Sequence, residues 1–289
     1  MNQALQQRNN VKVFGSGPDT LVFAHGFGSD QSAWKHQVAA FQDRYRIVLF
    51  DHVGCGESDF NAYSPRRYDS LRRYAEDLLE LCDALRLNDC TLVGHSLSGM
   101  VGLLAAVAEP QRFRQLVFVK ASPRYLNDAS TGYHGGFEQE QIDGLYAAMA
   151  NDFPAWASGF APLAMGHPER PELGQEFART FMAMRPDIAL SIARIIFQSD
   201  HRADLPRLKV PTLILQSGDD LAVPTQVGHY MAKHIAQATL VPIEARGHLP
   251  HLSAPRAVNR AIDAYLSSSR KYGQPGVPNS WLARLTARL

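Results

Sequence analysis

Three residues of this sequence, Ser96, Asp220 and His248, have the types and the setting for nucleophilic acyl transfer. A serine hydroxyl is a poor nucleophile at neutral pH and needs an imidazole to take its proton. The imidazole needs a carboxylate that fixes its tautomer and steadies its charged form. Ser96 sits in Gly94-His95-Ser96-Leu97-Ser98-Gly99, between the apolar run Thr91-Leu92-Val93 and the small-residue stretch Met100 to Ala106. That pattern reads as strand, sharp elbow and buried helix, with the serine on the turn. The usual elbow spacing has glycine two residues after the serine, where Ser98 stands. Even the strict pattern arises by chance roughly 0.1 times in a chain of this length, so the elbow needs support from elsewhere.

That support comes from other strand ends. Pro211 to Gln216 is an apolar strand delivering Ser217-Gly218-Asp219-Asp220, and Thr239 to Ile243 is a last strand followed by Glu244-Ala245-Arg246-Gly247-His248. One helix and one strand fit between Asp220 and His248, as a sheet-edge arrangement requires. Asp219 and Asp220 both qualify by position as the carboxylate. His248 suits the base better than His251, which stands where it could cap the last helix, and His95 points to the other side of the elbow, where it suits pocket lining or a satisfied structural histidine. Leu21 to Ala24 is a buried strand running into His25-Gly26-Phe27-Gly28. Its Phe27 N–H, joined by that of Leu97 at the helix start, would form an oxyanion hole; the same residues also suit a plain glycine turn.

The elements that must position these groups alternate strand and helix. A first hairpin is expected around Gly15 to Asp19, after Val11 to Phe14. Ile47 to Phe50 is a strand ending in the Gly-rich Asp51 to Ser58, and Tyr68 to Leu87 has helical spacing of Leu71, Ala75, Leu78, Leu79, Cys82 and Leu85. The expected fold class is α/β, a mostly parallel doubly wound sheet with ligand groups at one edge. Between Arg124 and His201 strand signals vanish and aromatics accumulate, which predicts a helical lid lining an apolar pocket. The expected division is 1–123 and 202–267 for the core, 124–201 for the lid and 268–289 for a C-terminal extension. In that extension a linker leads to Trp281-Leu282-Ala283-Arg284-Leu285, which suits either a short docking helix or a frayed end.

Composition narrows the function. Lys and Arg total 29 against 28 Asp and Glu, a formal charge of +1, which suggests no nucleic-acid partner. Hydrophobic residues make up 45%, enough for a sizeable core, yet no window suggests a membrane span. No secretory leader is visible, so a cytoplasmic protein is expected. Cys55, Cys82 and Cys90 lack CxxC spacing and are expected reduced and structural. The remaining histidines, among them His36, His134, His167, His201, His229 and His234, show no metal-ligand spacing. Neither a metal nor a cofactor is expected.

From Asn10 to about Leu266 the chain resembles the α/β-hydrolase subfamily that contains the bacterial energy-stress regulator RsbQ and the plant karrikin and strigolactone receptors. The resemblance rests on Gly94-His95-Ser96-Leu97-Ser98, Ala121-Ser122-Pro123-Arg124-Tyr125-Leu126-Asn127-Asp128, Gly135-Gly136-Phe137-Glu138-Gln139-Glu140, Phe160-Ala161-Pro162-Leu163-Ala164, Met184-Arg185-Pro186-Asp187-Ile188-Ala189, Phe197-Gln198-Ser199-Asp200, Asp220-Leu221-Ala222-Val223-Pro224 and Gly247-His248-Leu249-Pro250. The lid blocks are more specific than the elbow, and the irregular G-x-S-x-S is also what the plant receptors carry. The resemblance implies Ser96 as nucleophile, His248 as base and Asp220, not Asp219, as orienter. It also implies a pocket built by Phe27, His95, Tyr125, Phe137, Trp156, Phe160, Phe177, Phe197, Leu221 and Ala222.

Two functions follow from that resemblance. One is hydrolysis of a small hydrophobic ester or butenolide-like lactone. The other is a signalling module in which slow turnover accompanies regulation of a partner protein.

Overall fold

The apolar runs become strands of one sheet. A computed structural model describes residues 3–272, and its strands are β1 (Lys12–Phe14), β2 (Thr20–Ala24), β3 (Arg46–Phe50), β4 (Cys90–His95), β5 (Phe113–Val119), β6 (Thr212–Gly218) and β7 (Ala238–Arg246). They lie in the order β1-β3-β2-β4-β5-β6-β7. Only β1 runs antiparallel to its neighbour. The expected hairpin does not form, because β1 pairs with β3. Both edges of β2 are taken, by β3 and β4 in parallel, so the short and largely exposed β1 closes the outer edge instead.

Helices cover both faces of the sheet. They are α1 (Gln3–Arg8), α2 (Lys35–Phe41), α3 (Leu71–Leu85), α4 (Leu97–Ala108), α5 (Gln139–Asn151), α6 (Phe153–Met165), α7 (Pro171–Met182), α8 (Pro186–Phe197), α9 (Thr225–His234), α10 (Pro250–Ser253) and α11 (Pro255–Tyr272). Alternate residues of β2 serve opposite cores. Leu21 and Phe23 pack with Trp34, Phe41, Ile262 and Tyr265, whereas Val22 and Ala24 pack with Leu78, Met100 and Leu104. Such two-sided cover is why β4 is buried along its whole length. Helix α11 continues to Tyr272, past the boundary near Ser267 where the sequence suggests a linker. The candidate docking stretch after Trp281 lies outside the described residues.

The chain between β5 and β6 supplies α5 to α8 as a separate layer over the strand ends. Glu138 and Gln141 form a capping box at the start of α5, and Pro171 and Pro186 open α7 and α8, where a missing N–H costs nothing. The layer's entry and exit are tied together. His201 N–H donates to the Pro123 carbonyl at 2.8 Å, and Arg124 Nη1 reaches Asp200 Oδ2 at 2.7 Å. Cys55, Cys82 and Cys90 are buried free thiols, and burial pushes that of Cys55 up.

Candidate active site

β4 ends in His95 and α4 begins at Leu97, so Ser96 alone must turn the chain. It does so at φ 54° and ψ −120°, a conformation costing about 1–3 kcal/mol for a residue with a side chain. The surroundings hold it there. Ser96 N–H donates to the Val119 carbonyl at 2.9 Å, and a Cβ on Gly94 would lie 2.5 Å from the Ser98 carbonyl oxygen, so only glycine fits beneath the turn. Ser98, the irregular position, is a tie. Its hydroxyl donates to the His25 carbonyl and accepts from His52 Nε2 at 2.6 Å, joining the elbow to the loops after β2 and β3.

Ser96, His248 and Asp220 come together from three strand ends. Ser96 Oγ lies 2.9 Å from His248 Nε2, and His248 Nδ1 lies 2.9 Å from Asp220 Oδ2. Asp219 is exposed on the loop, whereas the Asp220 side chain is 1% exposed and is the one that meets the His248 ring. Burial raises the Asp220 carboxyl's proton affinity. His248, Lys120 and the Ala222 N–H together outweigh burial and hold it at about 2. Tyr125 brings its hydroxyl to 3.2 Å from Ser96 Oγ. With Ser96 donating to His248, Tyr125 is the donor in that contact, and burial pushes its phenol upward.

The histidine loop is held partly by the lid. His248 N–H donates to the Ala164 carbonyl of α6 at 2.8 Å, and Ser217 Oγ donates to the Gly247 carbonyl at 2.7 Å. Gly247 has φ 75°, and a Cβ there would lie 2.0 Å from the Met165 carbonyl oxygen. His95 takes the structural place the sequence offered beside pocket lining, donating from Nε2 to the His248 carbonyl at 2.8 Å. His251 lies deeper still, its ring 4.4 Å from His95 and 4.5 Å from Trp34, out of reach of Ser96. Burial, with His248 and His36 nearby, lowers the His251 imidazole to about 3.

The Phe27 loop lies against the elbow, since a Cβ on Gly26 would lie 3.3 Å from Ser96 Cβ. Neither Phe27 N–H nor Leu97 N–H has an acceptor among the described residues. Thr180 of α7 donates to the Gly28 carbonyl at 2.8 Å, so the lid also fixes this loop. The aromatics gather in two groups. Phe27, Trp156, Phe160 and Phe177 surround Phe181 with ring centroids at 4.9, 5.1, 6.1 and 5.5 Å. Phe197 joins Tyr125 at 5.1 Å and Phe137 at 5.8 Å. Ala222 is buried and Leu221 is 49% exposed.

Phe181 counts among the aromatics of the insertion but not among the pocket residues the resemblance implies, and Lys120, Ala164 through its backbone and the ties of Ser98 escaped the sequence reading. Phe181, fully buried, follows Phe177 by one helical turn. A lysine ending the apolar run Leu116 to Val119 was also a signal, because a charge in a buried strand needs a partner.

The family model described as Alpha/beta hydrolase family matches residues 21–261. Karrikin insensitive 2 receptor CA of Petunia hybrida is 47% identical over 255 residues, covering 88% of this chain and 94% of that protein. Strigolactone esterase RMS3 of Pisum sativum is 44% identical over 259 residues, 89% of this chain and 96% of its own. Among solved structures, a hydrolase from Oleispira antarctica superposes with a TM-score of 0.88 at 33% identity, covering 91% of this chain and 96% of that one.

Proposed function

Because the chain belongs to the alpha/beta hydrolase family, we propose that it is a serine hydrolase of small hydrophobic esters or lactones, of butenolide type, working through Ser96, His248 and Asp220. The observation that carries this reading is the unbroken relay from Ser96 Oγ through the His248 ring to Asp220, 2.9 Å at each step. Ser96 attacks the carbonyl carbon while its proton passes to His248 Nε2, and the N–H groups of Phe27 and Leu97 receive the developing oxyanion. Collapse expels the alkoxide or enolate, which His248 protonates, leaving an acyl-serine. Water activated by His248 then releases the acid. Phe27, Tyr125, Phe137, Trp156, Phe160, Phe177, Phe197 and Phe181 form the apolar wall against the rest of the substrate. Leu221 and Ala222 follow Asp220 on the same loop.

The strigolactone esterases among its relatives favour the lactone class, and the receptor named among them favours a second use of the same site, as a sensor that reports to a partner protein. The test is hydrolysis of a synthetic butenolide by the purified protein beside Ser96→Ala. Cleavage that vanishes in the variant is expected. Cleavage of simple esters with no action on the lactone would overturn the substrate class, and turnover surviving in Ser96→Ala would overturn the nucleophile.

A further inference from the structure

Lys120 follows β5 directly, in a left-handed backbone conformation with φ 53°, and its side chain is completely buried. Its Nζ lies 3.0 Å from Asp220 Oδ2, 3.0 Å from the Val223 carbonyl and 3.2 Å from the Ser217 carbonyl. An ammonium has three N–H donors, and each meets one of these acceptors. A neutral amine has two, and would turn its lone pair on a third acceptor. The acceptor set thus demands the charged form, although burial pulls the proton affinity of Lys120 down and Asp220 only partly restores it.

Building on the hydrolase reading, we propose that Lys120 is a positioning residue that clamps Asp220 and lowers the proton affinity of the relay, extending hydrolysis to lower pH. The Asp220 Oδ2 that takes Lys120 is the same oxygen that accepts from His248 Nδ1, while Ala222 N–H holds Oδ1 at 2.7 Å. A carboxylate facing an imidazole alone favours the imidazolium; one shared with a fixed ammonium favours it less. The Asp220 charge that would meet an imidazolium on His248 is therefore divided with Lys120. The other titratable groups packed round His248 do not oppose this. His95, with its ring 5.0 Å away, and His251 behind it are lowered by burial, and Tyr125 beside Ser96 is raised by it. The clamp also spans three segments, joining the end of β5 to Ser217 in β6 and to Val223 in the loop that follows it.

The test is the pH profile of kcat/KM for 4-nitrophenyl acetate and a synthetic butenolide, with the full chain and Lys120→Met, an uncharged side chain of similar length. The acid limb of the variant is expected to move to higher pH by about one unit. That is a loss of about tenfold on the acid side, while the alkaline plateau stays within a few-fold. A folded variant whose acid limb is unmoved, or whose activity drops equally at every pH, overturns the proposal. If Lys120→Met does not fold, 15N NMR of the unmutated protein decides. A slowly exchanging Lys120 ammonium at pH 7 to 9 supports the clamp, and a neutral amine there overturns it. Wild type inert on both esters would break the hydrolase reading instead, and the ammonium signal would still test the clamp.

Discussion

The serine elbow brings one member of the relay and the corner holding Asp220 and His248 brings two, and they are built on opposite plans. The elbow is local. A buried strand, one turn residue at φ 54° and a helix of small residues follow each other within a short stretch, and the main external ties go through Ser98. The corner is assembled at long range. Asp220 is held from β5 by Lys120, and the His248 loop hangs on the Ala164 carbonyl of the lid and on His95 below it. A local device tolerates changes in its surroundings, whereas a composite one transmits them.

The largest break in that comparison is at the nucleophile itself. Ser96→Ala is expected to lower kcat by about 10⁴-fold or more, read as steady-state turnover of a small ester. Next, Asp220→Asn is expected to cost about 10³- to 10⁴-fold with the fold intact, while Asp219→Asn stays within about twofold. A large loss in Asp219→Asn with Asp220→Asn near wild type would show that the buried and the exposed carboxylate had been mistaken for one another, and equal losses would show that burial does not tell them apart.

Gly247→Ala probes the corner's dependence on the lid. A Cβ there would lie 2.0 Å from the Met165 carbonyl oxygen, so the His248 loop must shift and kcat should drop by about tenfold to a hundredfold. Wild-type kcat in this variant would mean that the corner does not lean on α6.

Two further expectations concern stability. The His251 imidazole is lowered to about 3 in the fold, below its ordinary value of 6.5, so the unfolded chain takes up the proton first. The native state therefore loses stability as pH falls from 6.5 toward 3, by up to about 1.4 kcal/mol per unit from this group. Urea unfolding at successive pH values should show a shallower slope in His251→Leu, and an unchanged slope would sink the assignment. Smallest in its effect on turnover, Ser98→Ala unties the elbow from the His25 carbonyl and His52 Nε2. Leaving two buried groups unpaired should cost about 1–3 kcal/mol in urea unfolding while kcat stays within a few-fold. A large loss of kcat would show that the elbow, too, depends on its neighbours.

What could be read from residues alone tracks these two plans. Period-2 and period-3.6 patterns recover the strand and helix succession because burial on a sheet or helix face is a local constraint. The partner of β1 was misread, since which edge remains free depends on where β2 goes. The resemblance implied a pocket role for His95, and the residues alone left a structural role open. It bonds the His248 carbonyl because side chains on β4 alternate faces and the loop of His248 arrives from the far edge of the sheet.

By itself the sequence determined that this chain folds as alternating strands and helices with Ser96 on a strained turn and an aromatic insertion above it, because strand, turn and helix propensities act over a few residues. Only the tertiary structure decided which of two adjacent aspartates is buried, that Lys120 shares its oxygen, and that α6 carries the His248 loop. Those choices rest on desolvation and on close contacts between segments far apart in the chain, where a charge survives burial only if a partner from elsewhere meets it.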